Sequence, residues 1–157
     1  MDLTHSDDAG QARMVNITDK KATHRLARAR GAIRMLPATL DAIRANTLRK
    51  GDAVSVARVA GILAAKRTSE LVPLCHPIPL TDLQVTCTLD NALPGIWVEA
   101  TAETTAQTGV EMEALVAVNV TLITLFDMAK GVDKSMELGQ ICVVEKRGGK
   151  SGDWSRP

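Results

Sequence analysis

Asp127 and Lys130 stand three residues apart near the end of a long apolar run, Val110 to Ala129. If that run is a helix, the two side chains share one face. A carboxylate and an amine side by side in a partly dry pocket tune each other's proton affinity, which suits acid/base chemistry. A surface ion pair is the commoner use of such a spacing. Charge on so apolar a helix, however, needs a partner and a reason. Glu111 and Glu113 lie at the other end, where first-turn carboxylates favour the helix dipole. At about 1.5 Å per residue, Glu111 and Asp127 would be about 24 Å apart. One helix cannot bring them into one site, whereas the packing of two copies can.

His76 sits in Leu74-Cys75-His76-Pro77. Adjacent Cys and His make poor chelate geometry and no partner pair has zinc spacing, so no metal site is expected. A loop histidine between prolines reads as a fixed hydrogen-bonding or proton-transfer group, or as a satisfied, half-buried one. Cations gather near element ends: Lys20-Lys21 with Arg25, Arg49-Lys50, Lys66-Arg67, Lys130 with Lys134, and Lys146-Arg147 with Lys150. Each alone suits a solvated surface, and together they can line a pocket for a polyanion such as a triphosphate. Gly149-Lys150-Ser151 is not a P-loop, because Val144 stands where the first glycine is needed and no helix follows. A flexible basic lid over phosphates and a disordered tail both remain open for it.

These residues need elements to hold them. Met14 to Thr18 predicts a short strand, and the later part of His24 to Met35 a strand with a polar face. Pro37 suits the first turn of a helix reaching about Ala45. Asp52 is a candidate N-cap for a helix over Ala53 to Lys66, in which Val56, Val59, Ala60, Leu63 and Ala64 share a stripe. Gly61 and the alanines allow another element to approach closely. Three prolines between Leu71 and Pro79 exclude helix and predict an ordered, partly buried loop. Strands are expected over Leu83 to Leu89, Gly95 to Thr101 and Gln140 to Val144. The sum is an α+β domain with helices packed on a largely antiparallel sheet. Residues 1–157 read as one domain, with 1–12 a mobile arm and 146–157 a basic glycine-rich tail.

Composition narrows the function. The chain has 157 residues, is 45% apolar and carries a net charge of +1, too little to predict nucleic-acid or membrane binding by charge alone. With one Phe, two Trp and no Tyr, stacking platforms for single-stranded nucleic acid are nearly absent. Three widely spaced cysteines suggest neither a disulfide framework nor a zinc knuckle. No secretory h-region and no membrane-spanning run are read, so a reducing, cytoplasmic location is expected.

Several runs resemble, in order, the signature of the MoaC (cyclic pyranopterin monophosphate synthase) family. They are Met14-Val15-Asn16-Ile17, Lys50-Gly51-Asp52, Ala57-Arg58-Val59-Ala60-Gly61, Ala64-Ala65-Lys66-Arg67-Thr68, Leu74-Cys75-His76-Pro77, Thr108-Gly109-Val110-Glu111-Met112-Glu113, Asp127-Met128-Ala129-Lys130 and Gly148-Gly149-Lys150-Ser151-Gly152. The resemblance implies a ferredoxin-like fold. It also implies a lyase of molybdenum cofactor biosynthesis, converting 3',8-cyclo-7,8-dihydroguanosine 5'-triphosphate to cyclic pyranopterin monophosphate and pyrophosphate. It further implies a hexamer built as a trimer of dimers, with sites at subunit interfaces. The catalytic aspartate falls on Asp127 with Lys130 beside it, and a catalytic lysine from the neighbouring subunit on Lys50. Substrate-binding positions fall on Leu74, Cys75, His76, Met112 and Glu113, with Glu111 next to them. Arg25, Lys66, Arg67, Lys146 and Lys150 would hold phosphates. No resident cofactor is implied, and magnesium can accompany the triphosphate. Asn16, Phe126, Ala129 and Arg147 depart from the residues usual in the family. Two rivals stand beside this reading: a non-catalytic nucleotide- or RNA-binding module, and a purely structural oligomer.

Overall fold

A computed structural model describes residues 10–157, so residues 1–9 of the expected arm lie outside the described residues. The elements are β1 (Thr23–Arg34), α1 (Pro37–Arg44), α2 (Ala53–Ala65), α3 (Thr68–Leu71), β2 (Asp82–Asp90), β3 (Gly95–Ala106), α4 (Glu111–Ala129), β4 (Glu137–Arg147) and β5 (Trp154–Ser155). The strands form one antiparallel sheet in the order β2-β3-β1-β4-β5. Strand, helices, two strands, helix, strand in that spatial order is the ferredoxin-like arrangement.

The sheet faces differ because the strands alternate. Along β3, Ile96, Val98, Ala100, Ala102 and Thr104 are buried. Opposite them in register, Ala27, Ala29 and Ile33 of β1 are buried too. This face carries α4, whose Val118, Leu122 and Leu125 are fully buried. The other face is polar. Arg28 pairs with Glu145 at 3.2 Å and Glu99 at 3.7 Å, and Arg30 lies over Trp97.

Helix α2 packs against α4 through Ala53, Ala57, Gly61 and Ala65, not through the stripe with the larger side chains. A Cβ on Gly61 would stand 2.1 Å from Thr121 Oγ1 and 2.8 Å from the Ala117 carbonyl oxygen. The small residues therefore set a close backbone approach, and Val56, Val59 and Leu63 are left 46%, 56% and 56% exposed. By length and composition α4 is apolar enough to cross a membrane, contrary to expectation, yet here it is the core helix between sheet and α2.

Two local expectations change. Met14 to Thr18 forms no strand: Asn16 Oδ1 accepts from Thr18 N at 2.9 Å, and Lys20 N donates to the Ile17 carbonyl at 3.0 Å, so the segment turns. The last expected strand is longer than Gln140 to Val144, because β4 takes in Lys146 and Arg147.

The N-terminus of α1 has Pro37 in its first turn but no side-chain cap of its own. Buried Asp133 serves instead, accepting from Leu36 N at 2.8 Å and Thr39 Oγ1 at 3.2 Å, and from Ser135 N and Oγ at 2.8 and 2.7 Å. Burial pushes its pKa up, but these hydrogen bonds outweigh burial and leave it below the usual 3.8. A depressed folded pKa means stability that is present above the unfolded value and lost as pH falls through the folded one. Asp133→Asn should therefore lower stability by about 1–3 kcal/mol at neutral pH in denaturant melts. Its deficit against wild type should shrink once the pH drops below the ordinary carboxyl range, and a pH-independent deficit would refute the assignment.

Candidate active site

Chemistry-bearing side chains gather at both ends of α4. At the C-terminal end, Asp127 is held from two sides. Lys130 Nζ lies 2.7 Å from Oδ1, and Lys50 Nζ lies 2.7 Å from Oδ2 and 2.8 Å from the Asp127 carbonyl oxygen. Lys50 reaches there because the chain turns sharply between α1 and α2. Gly51 takes a φ of 87° and donates to the Leu48 carbonyl at 3.0 Å. Asp52 then caps α2, accepting from Ser55 N at 2.9 Å. Since α2 runs antiparallel to α4, its start meets the end of α4. Lys50 is therefore bonded to the Asp127 of its own chain. The bond from Lys130, then that from Lys50, hold the Asp127 carboxyl at about 2. At rest it is an anion with both oxygens occupied.

At the N-terminal end two cavities adjoin. The first, about 640 Å³, is walled by Leu74, Cys75 and His76 of the proline-rich loop, by Met112 and Glu113 of α4, and by Val15, Ile17, Val143 and Trp154. Glu113 is only 3% exposed. Burial, and behind it Glu111, push its pKa up. Burial and then Glu113 also raise the Cys75 thiol, so Cys75 is a protonated wall group rather than a nucleophile. Outside the described chemistry of this cavity, Cys87 is likewise pushed up to about 11 by burial.

The second cavity, about 1110 Å³, is lined by Lys20, Lys21, Arg25, Lys146, Arg147 and Lys150, with Glu111 its one carboxylate. Lys20, Thr108, Gly109, Glu111 and Lys146 line both cavities, so the two are continuous. Lys146 Nζ stands 2.5 Å from Ser151 Oγ and 3.9 Å from Glu111. Its aim depends on an irregularity in β4. Ala29 pairs with Val143 but Arg28 pairs with Glu145, so Val144 is an extra residue. That bulge turns Glu145 to the outer face, against Arg28, and Lys146 to the cavity side. Arg25 is pressed in place by the tail, since a Cβ on Gly149 would sit 2.0 Å from its Nη1. Its Nε is buried without a hydrogen-bond partner.

The residues singled out in the sequence thus fall into groups. Asp127, Lys130 and Lys50 converge. Leu74, Cys75, His76, Met112, Glu113 and Glu111 converge around the first cavity, and Arg25, Lys146 and Lys150 around the second. Lys66 lines a smaller recess behind Glu113. Arg67 does not join, and is paired on the surface with Glu70 at 3.0 Å. Val15, Ile17 and Trp154 were not foreseen. Lys20 and Lys21 were seen only as a charge group, though their position just before β1 fits them for the cavity. Among the described residues no cluster of three or more His, Cys, Asp or Glu is placed to hold a metal ion.

A sequence model of the MoaC family matches residues 14–149. A cyclic pyranopterin monophosphate synthase of Nostoc sp. (strain PCC 7120) is 54% identical over 155 residues, covering 99% of this chain and 92% of that protein.

Proposed function

The chain belongs to the MoaC family, and from that premise we propose that it is the lyase that converts 3',8-cyclo-7,8-dihydroguanosine 5'-triphosphate to cyclic pyranopterin monophosphate, releasing pyrophosphate, in molybdenum cofactor biosynthesis. One observation carries the reading into this chain. A largely apolar cavity of about 640 Å³ opens directly into a cavity lined by six cations, and a carboxylate clamped by two lysines stands at the other end of the same helix.

The charge distribution suits the reaction. A triphosphate entering the cationic cavity finds Arg25, Lys146 and Lys150 already converged, and they stabilise the charge that builds on departing pyrophosphate. Asp127 and the two lysines form a coupled set in which the proton belongs to the group rather than to one residue. A polyanion that competes for Lys50 or Lys130 loosens their bonds to Asp127. Its proton affinity then rises toward the working range of a general base. His76 is fixed by its prolines at the wall of the base cavity, where it can orient the ring or pass a proton. The cation-lined surface is concave and lacks a row of aromatic platforms, which disfavours an RNA-binding module.

The working unit we propose is a homo-oligomer, a hexamer assembled as a trimer of dimers, in the cytoplasm. Three free cysteines suit a reducing compartment. Met112 and Asp127 are about 22 Å apart along α4, so base cavity and aspartate of one chain cannot serve one substrate. Between them α4 presents Val116, Val120 and the 57% exposed Ile123, flanked by the exposed stripe of α2. An antiparallel pairing of two α4 helices about Asn119 and Val120 sets Met112 of each opposite Asp127 of the other. It also sets the acidic end, Glu111 and Glu113, against the basic end, Lys50 and Lys130.

Incubation of the purified chain with the cyclic dihydroguanosine triphosphate should yield pyrophosphate and pyranopterin in equal amounts. Tight binding with neither product would overturn the lyase reading in favour of a binding module.

A further inference from the structure

Trp154 is 43% exposed at the wall of the first cavity. Its position comes from the way the chain returns after β4. Gly148 and Gly149 take φ values of 85° and 88°, a left-handed pair that reverses the chain. Gly148 N donates to Asp153 Oδ1 at 2.9 Å, and Gly152 N to the Gly149 carbonyl at 3.1 Å. The returning strand then pairs Trp154 with Lys146 and Ser155 with Glu145. Arg156 secures its far side, with its N 2.8 Å from the Val144 carbonyl and its Nε 3.2 Å from that of Val143. Residues directly opposite on paired strands stand on the same face. Trp154 is therefore held beside Lys146, one of two lysines, with Lys20, common to both cavities.

Among the described residues Trp154 is the one indole or phenyl ring on the wall of that cavity. The chain has one Phe, two Trp and no Tyr. Phe126 belongs to the last turn of α4 and is packed against the hydrophobic core. Trp97 lies under Arg30 on the polar face of the sheet, its Nε1 donating to Asp90 at 3.1 Å. Apart from the His76 imidazole, the rest of the cavity wall offers aliphatic, sulfur, carboxyl, hydroxyl and ammonium groups. A half-exposed indole on a strand of two residues has little structural work to do in the isolated chain.

We infer that Trp154 is the stacking wall for the planar ring of the substrate, so that one short hairpin delivers both the lysine that meets the phosphates and the π surface that meets the base. This deepens the nucleotide-lyase reading and rests on it. Base–aromatic stacking tolerates changes of ring substituents. A single wall of that kind accepts the purine-derived ring at the start of the reaction and the pterin at its end.

The test isolates the signal first. Trp97→Phe leaves Trp154 the one indole in the protein without touching either cavity. In that variant the cyclic dihydroguanosine triphosphate and GTP should both quench the remaining fluorescence saturably, while inorganic tripolyphosphate, which fills only the cationic half, should not. In the otherwise wild-type chain, Trp154→Ala should raise KM about tenfold with kcat within about threefold. Trp154→Phe should restore KM, and Trp154→Leu should not. Absence of quenching by GTP, an unchanged KM in the alanine variant, or rescue by leucine equal to that by phenylalanine would each overturn the inference. Leucine rescue would show an apolar staple for β5. Ring-dependent quenching in a protein that releases no pyrophosphate would leave Trp154 as a base wall and defeat the lyase reading alone.

Discussion

Asp127→Asn should lower kcat by about 10² to 10⁴-fold while leaving substrate affinity and assembly intact. The substitution keeps the shape of the side chain and removes its charge. In the native protein both carboxylate oxygens are engaged, Oδ1 by Lys130 and Oδ2 by Lys50, each at 2.7 Å. An amide offers one acceptor where two are used, and its NH₂ faces an ammonium. The lysines lose the anion that fixes them, and no carboxylate remains to take a proton. Folding should suffer little, because Asp127 is solvent-exposed. Affinity should survive because the cavities that take the ring and most of the phosphate charge lie at the other end of the helix, with Arg25, Lys146 and the loop about His76. Pyrophosphate release measured beside calorimetric binding separates the two effects. Turnover within a few-fold of wild type would remove Asp127 from the chemistry and leave it a surface clamp for Lys50.

What the sequence could disclose follows the range of the interactions. Local signals were legible. Pro37 at the start of α1, Asp52 capping α2 and the i,i+3 pairing of Asp127 with Lys130 each depend on neighbours within a turn. The topology was legible as a class, since the order of elements leaves few ways to build a sheet with helices on one face. Contacts across the fold were not. Lys50 meets Asp127 over a separation of 77 residues, and only the antiparallel packing of α2 on α4 brings them together. In the α2 helix the close approach expected at Gly61 and the alanines is found. Its larger side chains form the apolar stripe that periodicity finds, yet the buried face is the alanine and glycine one. Close helix packing selects small residues, so the face with the weaker hydropathy won the core and the stronger one was left for another surface. The tail hid its role for a different reason. A two-residue strand has no period to detect, and the bulge at Val144 that re-aims Lys146 exists only in the register of β4 on β1.

Two inactive variants should restore each other. Asp127→Asn damages the C-terminal half-site of α4 and His76→Ala the N-terminal one, and the proposed pairing assigns these halves of one active site to different chains. In an isologous dimer of two sites, a mixed dimer holds one site with both lesions and one with neither. Random assortment makes about half the dimers mixed, so co-expression should recover about a quarter of wild-type pyrophosphate release. Each variant alone should give almost none. The distance along α4 is what forces the prediction. About 22 Å separates Met112 from Asp127, a rigid core helix cannot shorten, and its buried residues tie it to the sheet along its length. A substrate that touches both ends must therefore bridge two copies. The doubly substituted chain mixed with wild type supplies the control, because its mixed dimers hold no intact site and about a quarter of the activity should remain, where self-contained sites would leave about half. Mixed variants no more active than the sum of the separate ones would show that each chain completes its own site. The apolar face between Met112 and Asp127 would then need a different occupant.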